Sequence, residues 1–218
     1  MESEHAASLP NSLQPFSGTI NELQRVGELS WQRGWNRCIS GSYSVIVNHN
    51  PKKLLISSGG KNSGLSQRTD LALVDAEGRP IDPDQPVQTA DGILHCLVAE
   101  DDAVGAVLHT QSIWTTILSM RFLSLKGILL EGFELLRGLS GVTTQEHAEW
   151  LPIIENCSET ATLKASIRTT IEQSEQPLHG FLIHQNGLYT WGRDLEEAVR
   201  HAEILEFLCE VLGRQARM

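Results

Sequence analysis

Two apolar runs in this chain end on side chains of the kind that hold metals or move protons. In "AVGAVLHTQS" (103–112) the run leads into His109 and Gln111, and in "GFLIHQNG" (180–187) it leads into His184 and Asn186. Side chains alternate faces along a strand, so each spacing of two predicts a pair of polar groups presented on one face at a strand end. His-x-His at such an edge would be a good clamp for a divalent cation. His-x-Gln is a poorer one, because an amide oxygen is a weak donor to zinc. A lone histidine at a strand end is more often a hydrogen-bonded structural residue than a ligand.

A second candidate is Glu134, set in the apolar run "LLEGFELLRG" (129–138) with Arg137 three residues on. Exposed, this would be a solvated pair on a helix face. Buried, the carboxyl would have a raised pKa suited to general acid–base work. A third is "SSGGKNSGLS" (57–66), where Ser58, Gly59, Gly60, Lys61 and Gly64 combine close backbone approach, a hydroxyl and one ammonium, a composition that can cradle a phosphate. A Gly/Ser turn between strands has the same composition, and the spacing is not that of a Walker loop.

The elements that must position these groups are legible in part. Ile20, Leu23, Val26, Leu29 and Trp31 predict a helix over 19–35, and "SYSVIVNH" and "KLLISS" predict strands joined by "HNPK", with a third strand opening "LALVDAEGRPI". Helices are expected at 89–100, from Ser112 onward, across "ILLEGFELLRGL" (128–139) and at about 159–174, with strands at 103–109 and "WLPII". The last element has the clearest signal. Asp194 and Glu197 form a capping-box pattern ahead of an apolar stripe from Leu195 to Leu212. The expected architecture is a single α/β domain over 17–218 with a mainly antiparallel sheet flanked by helices. Residues 1–16, polar and with two prolines, read as a flexible tail.

Composition limits the partners. The 218 residues carry 17 Lys and Arg against 27 Asp and Glu, a formal net charge of −10, so a nucleic-acid backbone is repelled and no basic patch offsets this. No run of about 18 apolar residues suits a membrane span, and the N-terminus lacks the pattern of a signal peptide. Cys38, Cys96, Cys157 and Cys209 form no CxxC pair, which fits a reducing cytoplasm better than a disulfide framework.

Taken in order, "RGWNRCISGSYSV", "SSGGKNSGL", "TADGILH", "AVGAVLHTQS", "LEGFELLRGLSGVTTQEH", "LPIIEN" and "HGFLIHQNGLYTWGRDLEEAVRHAEILEFL" resemble the class II aldolase/adducin family over residues 19–213. "GLYTWG" resembles its dehydratase branch, which removes water from 5-methylthioribulose 1-phosphate in methionine salvage. The resemblance implies a three-layer αβα domain, a homotetramer with sites between subunits, a phosphorylated sugar as substrate and a zinc on three histidines. Those three positions are His109, Gln111 and Asn186 here, so one imidazole remains, with His184 as a possible replacement. Glu134 falls on the dehydratases' acid–base glutamate, and Ser58, Gly59, Gly60, Lys61 and Gly64 fall approximately on the phosphate loop. Asp91 stands where the aldolases place a glutamate. Beside the dehydratase stand two alternatives, a metal-free binding or assembly subunit and a sugar-phosphate aldolase.

Overall fold

The computed structural model describes residues 9–36, 41–57, 71–85, 89–144 and 146–215. Among them eight strands form one sheet: β1 (Ser42–His49), β2 (Lys52–Ser57), β3 (Leu71–Asp75), β4 (Ala106–Thr110), β5 (Gly127–Glu131), β6 (Ala148–Ile154), β7 (Gly180–Ile183) and β8 (Gly187–Gly192). Their order is β3-β2-β1-β4-β8-β7-β6-β5. Every neighbouring pair is antiparallel except β6 with β7, which agrees with the expected mainly antiparallel sheet.

The alternation of β4 builds the layers on either side. Ala106 and Leu108 pack against Ile20, Leu23 and Val26 of α1 (Ser17–Gln32) and against Ala198 and Ala202 of α5 (Leu195–Gln215). Val107, with Phe181 and Tyr189, packs the other way, against Leu94, Leu97 and Val98 of α2 (Ala90–Val98) and Leu163 and Ile167 of α4 (Thr160–Glu172). On the first face Leu118 of α3 (Ile113–Arg121) joins Leu205 and Leu208 over Leu182 and Leu188. Three layers, αβα, result because period-two strands present one apolar row to each helical layer.

The predicted caps are in place. Ser112 Oγ accepts from Thr115 N at 3.1 Å at the start of α3. Asp194 Oδ1 accepts from Glu197 N at 2.8 Å while Glu197 Oε2 accepts from Arg193 N at 2.9 Å. Such caps contribute about 1 kcal/mol each.

Two expectations need correction. The run 128–139 is not a helix: it divides into β5 and a 3-10 helix, Glu134–Gly138, separated by Gly132 at φ +76. Side-chain burial explains the division, since Ile128 and Leu130 point into the core while Leu129 and Glu131 are exposed, the period of a strand. His184 and Asn186 do not share a strand face either, because β7 ends at Ile183 and both lie in the turn to β8. Of the predicted tail, residues 9–16 lie against the domain: Leu13 is fully buried and Ser12 Oγ donates to Asp82 Oδ2 at 2.9 Å. Among the described residues no helix is long and apolar enough to cross a membrane.

Candidate active site

At the end of β4, His109 is buried and stacks on Tyr189 of the neighbouring β8, ring centroids 4.2 Å apart and 8° from parallel. The register pairs the two residues directly. From α2, Asp91 reaches over both: its Oδ1 accepts from the Tyr189 hydroxyl at 3.1 Å, and its Oδ2 lies 3.4 Å from His109 Nδ1. Burial alone would raise the Asp91 pKa. The His109 imidazole, His95 and the Tyr189 hydroxyl outweigh it and hold the carboxyl at about 2, so Asp91 is a carboxylate at neutral pH.

One helical turn after Asp91, His95 is fully buried between Ser42 Oγ, 2.9 Å from its Nε2, and Ser44 Oγ, 2.8 Å from its Nδ1. Burial, with the His109 ring nearby, brings its pKa down to about 3 against the opposing pull of Asp91, so the ring is neutral. On the opposite face of β4, Thr110 donates to Glu206 Oε1 of α5. Complete burial brings the Glu206 carboxyl up to about 7, despite the hydroxyls of Ser112 and Thr110.

The β7–β8 turn closes the end of β4. Its carbonyls take both of the side chains expected to face one way there. His109 Nε2 lies 2.6 Å from Asn186 O, and Gln111 Nε2 donates to Gln185 O at 3.2 Å. A carbonyl only accepts, so Nε2 of His109 carries its hydrogen and has no lone pair to offer there. Gln185 sits at φ +60, a conformation uncommon outside glycine, and its N–H is held by Ser119 Oγ at 3.0 Å. Gly187 follows at φ +99, where a Cβ would lie 2.1 Å from Thr110 O.

This geometry decides whether three-nitrogen zinc fits. Such a site needs imidazole lone pairs about 2.0–2.1 Å from the metal. Here one nitrogen of His109 donates to a carbonyl, the other faces Asp91, and the other two positions are amides. Among the described residues no group of three His, Cys, Asp or Glu side chains could hold a metal ion, and His184 completes no such group. The residues present do not fit that zinc.

Glu134 is exposed and bonds Arg137 Nη1 at 2.6 Å. It is remote from His109 within one chain. From β4 the sheet crosses β8, β7 and β6 to β5, four spacings or roughly 19 Å. Glu131, paired with Ala148, lies a further four residues along the strands from the level of His109, which is one residue short of the level shared by Thr110, Leu188, Leu182 and Ile153, roughly 13 Å. The three residues from Glu131 to Glu134 reach at most about 10 Å. Roughly 13 Å or more therefore separates the α-carbons of the two residues. Ser58, Gly59, Gly60, Lys61 and Gly64 lie outside the described residues, as does Cys38.

Sequence reasoning found His109 and, at the aldolases' glutamate position, Asp91, but did not join the two. Asp91 and His95 stand at i and i+4, a spacing that puts both on one helix face and could have linked them. Nothing in the sequence marks the carbonyls of Gln185 and Asn186 as the partners of His109 and Gln111.

Residues 21–212 match the class II aldolase and adducin N-terminal domain, and the chain belongs to that family. Its fold is that of solved members such as the L-fuculose-1-phosphate aldolase of Thermus thermophilus, with a TM-score of 0.67 at 18% identity over 89% of this chain and 94% of that one. In sequence it is similar to the methylthioribulose-1-phosphate dehydratase of Sorangium cellulosum, 32% identical over 200 residues (91% of this chain, 93% of the relative). The dehydratase of Hahella chejuensis is 34% identical over 203 residues, 91% and 95% of the two chains.

Proposed function

We propose that the chain is a hydro-lyase acting on methylthioribulose 1-phosphate in methionine salvage, in an assembly where Glu134 of one copy meets the Asp91–His109 end of another. The observation that carries the reaction is the likeness to dehydratases along almost the whole length. The pairing of two copies is supported by the separation of Glu134 and His109 across the sheet. A symmetric homo-oligomer supplies that juxtaposition without any further gene product, and a homotetramer contains such pairs.

Elimination removes the proton on C3, next to the C2 ketone, and expels the C4 hydroxyl as water once that oxygen is protonated. The enol left behind takes up a proton at C4 and releases the one on its C3 oxygen to give the diketone. Glu134 carries the proton between carbon and leaving oxygen. Asp91, ionised and partly exposed, accepts a hydrogen bond from a substrate hydroxyl and fixes the sugar chain. Lys61, with Ser58, Gly59, Gly60 and Gly64, binds the phosphate. Incubation with methylthioribulose 1-phosphate should yield one diketone per substrate consumed. A stable assembly that leaves the substrate intact sinks the reading.

A second reading is a metal-free binding or assembly subunit on the same fold, favoured by the engagement of His109 and Gln111 with the turn carbonyls. The same assay separates the two. Both readings expect little zinc: after exposure to excess zinc and dialysis, metal analysis should find below about 0.1 atom per chain, whereas Gln111→His with Asn186→His should raise this toward one. Near-stoichiometric zinc in the unmodified protein, lost in His109→Ala, contradicts that expectation.

A further inference from the structure

Away from His109, three buried side chains converge on one exposed residue, Ser140, two positions beyond the 3-10 helix that begins at Glu134. All three of its hydrogen-bonding groups are engaged. Ser140 N donates to His201 Nε2 at 3.1 Å, Ser140 O lies 2.8 Å from His179 Nε2, and Ser140 Oγ donates to Glu197 Oε1 at 2.9 Å. Nearby, Arg200 Nε donates to Gly138 O at 3.0 Å. Leu136 and Leu139, on either side, are buried with Ile204 and Leu205 of α5.

The partners fix the protonation of each ring. His201 accepts at Nε2, so its hydrogen is on Nδ1, which donates to Trp191 O at 2.7 Å; the ring must be neutral. His179 faces the Ser140 carbonyl with Nε2 and the carboxylate of Glu149 with Nδ1, at 3.0 Å, so both nitrogens donate and the ring is an imidazolium. Glu149 also accepts from His147 Nε2 at 2.8 Å. The His179 and His201 rings meet edge to face at 4.9 Å.

We propose that His179 and His201 are positioning residues that hold, through Ser140, the segment carrying Glu134 in its working place. The two rings do so in opposite protonation states. Charges around them support this division. Burial lowers the pKa of His179, but Glu149, the Ser140 carbonyl and Glu197 outweigh it and raise it overall. His201, on α5, is lowered, first by burial and then by the His179 and Arg200 charges, against the pull of the Trp191 carbonyl and Glu197. Arg193 and Arg200 in turn neutralise Glu197. The anchoring therefore requires His201 to stay neutral. Protonating it as the pH falls below the ordinary histidine range removes the acceptor for Ser140 N–H and sets two imidazolium rings side by side.

The catalytic consequence rests on the dehydratase reading; the anchoring does not, and the experiment keeps the two apart. Hydrogen exchange of residues 134–142, corrected for the intrinsic rate, should show protection in the unmodified protein that falls as the pH drops below the ordinary histidine range. His201→Leu should lose that protection at neutral pH. His201→Gln, whose side-chain oxygen can stand where Nε2 accepts, should keep most of it and lose the acid sensitivity. In turnover, His201→Leu should lower kcat by about 10-fold or more with KM within about twofold, and His201→Gln should restore most of the rate. Unchanged protection in His201→Leu overturns the anchoring. Lost protection with unchanged kcat overturns the positioning role. If the unmodified protein does not turn over methylthioribulose 1-phosphate, the dehydratase reading fails with the catalytic half of the proposal, and exchange alone decides the anchoring.

Discussion

Glu134→Gln is expected to lower the dehydration rate by about 10²–10⁴-fold while KM changes little, the size of effect seen when a positioned general acid–base is removed. The amide keeps the shape of the side chain and can still bond Arg137, but it carries no transferable proton. The cost to folding should be small. Glu134 is exposed, and an exposed pair with Arg137 at i+3 contributes at most about 1 kcal/mol. Steady-state rates beside a thermal melt check both halves at once. A variant that keeps more than about a tenth of the rate removes Glu134 from the proton transfer.

The largest structural effect is expected at Gly187. Its φ of +99 already disfavours any other residue, and a Cβ there would sit 2.1 Å from Thr110 O and 2.9 Å from Gln111 Cα. Both are main-chain atoms of the paired strand or its continuation, so no side chain can rotate away. Relief requires β8 to draw back from β4 where Thr110 pairs with Leu188, and the Asn186 carbonyl would leave His109 with it. Gly187→Ala should therefore cost about 3 kcal/mol or more, the range of strain and overpacking combined. Urea unfolding measures it as a lower midpoint at an unchanged slope. A loss below about 1 kcal/mol means the turn can move without disturbing the sheet.

What could be read from the sequence followed local physics. The α5 stripe with Asp194 and Glu197, the Ser112 cap and the apolar run into His109 all gave elements where the chain has them. The failure at 128–139 has a definite cause. Successive leucines satisfy strand and helix periods equally, and only the positive φ of Gly132 separates β5 from the 3-10 helix. Much of the site was illegible for a different reason. The partners of His109 and Gln111 are main-chain carbonyls, which leave no mark on residue type. The groups that hold Ser140 come from positions 39, 57 and 61 residues away, beyond any local pattern. The family resemblance supplied Glu134, and the strand order sets it just beyond the edge strand β5, four strands from the β4 that carries His109.

The proposed dehydratase site takes Asp91 from one copy and Glu134 from another. Asp91→Ala and Glu134→Gln proteins, each first shown to lose most of its activity alone, should be dissociated, mixed and allowed to reassemble before assay with methylthioribulose 1-phosphate. Random pairing about a two-fold axis makes half of the pairs mixed, each with one intact site, so about a quarter of the unmodified activity should return. A mixture no more active than its components, with exchange of subunits verified, contradicts the shared site.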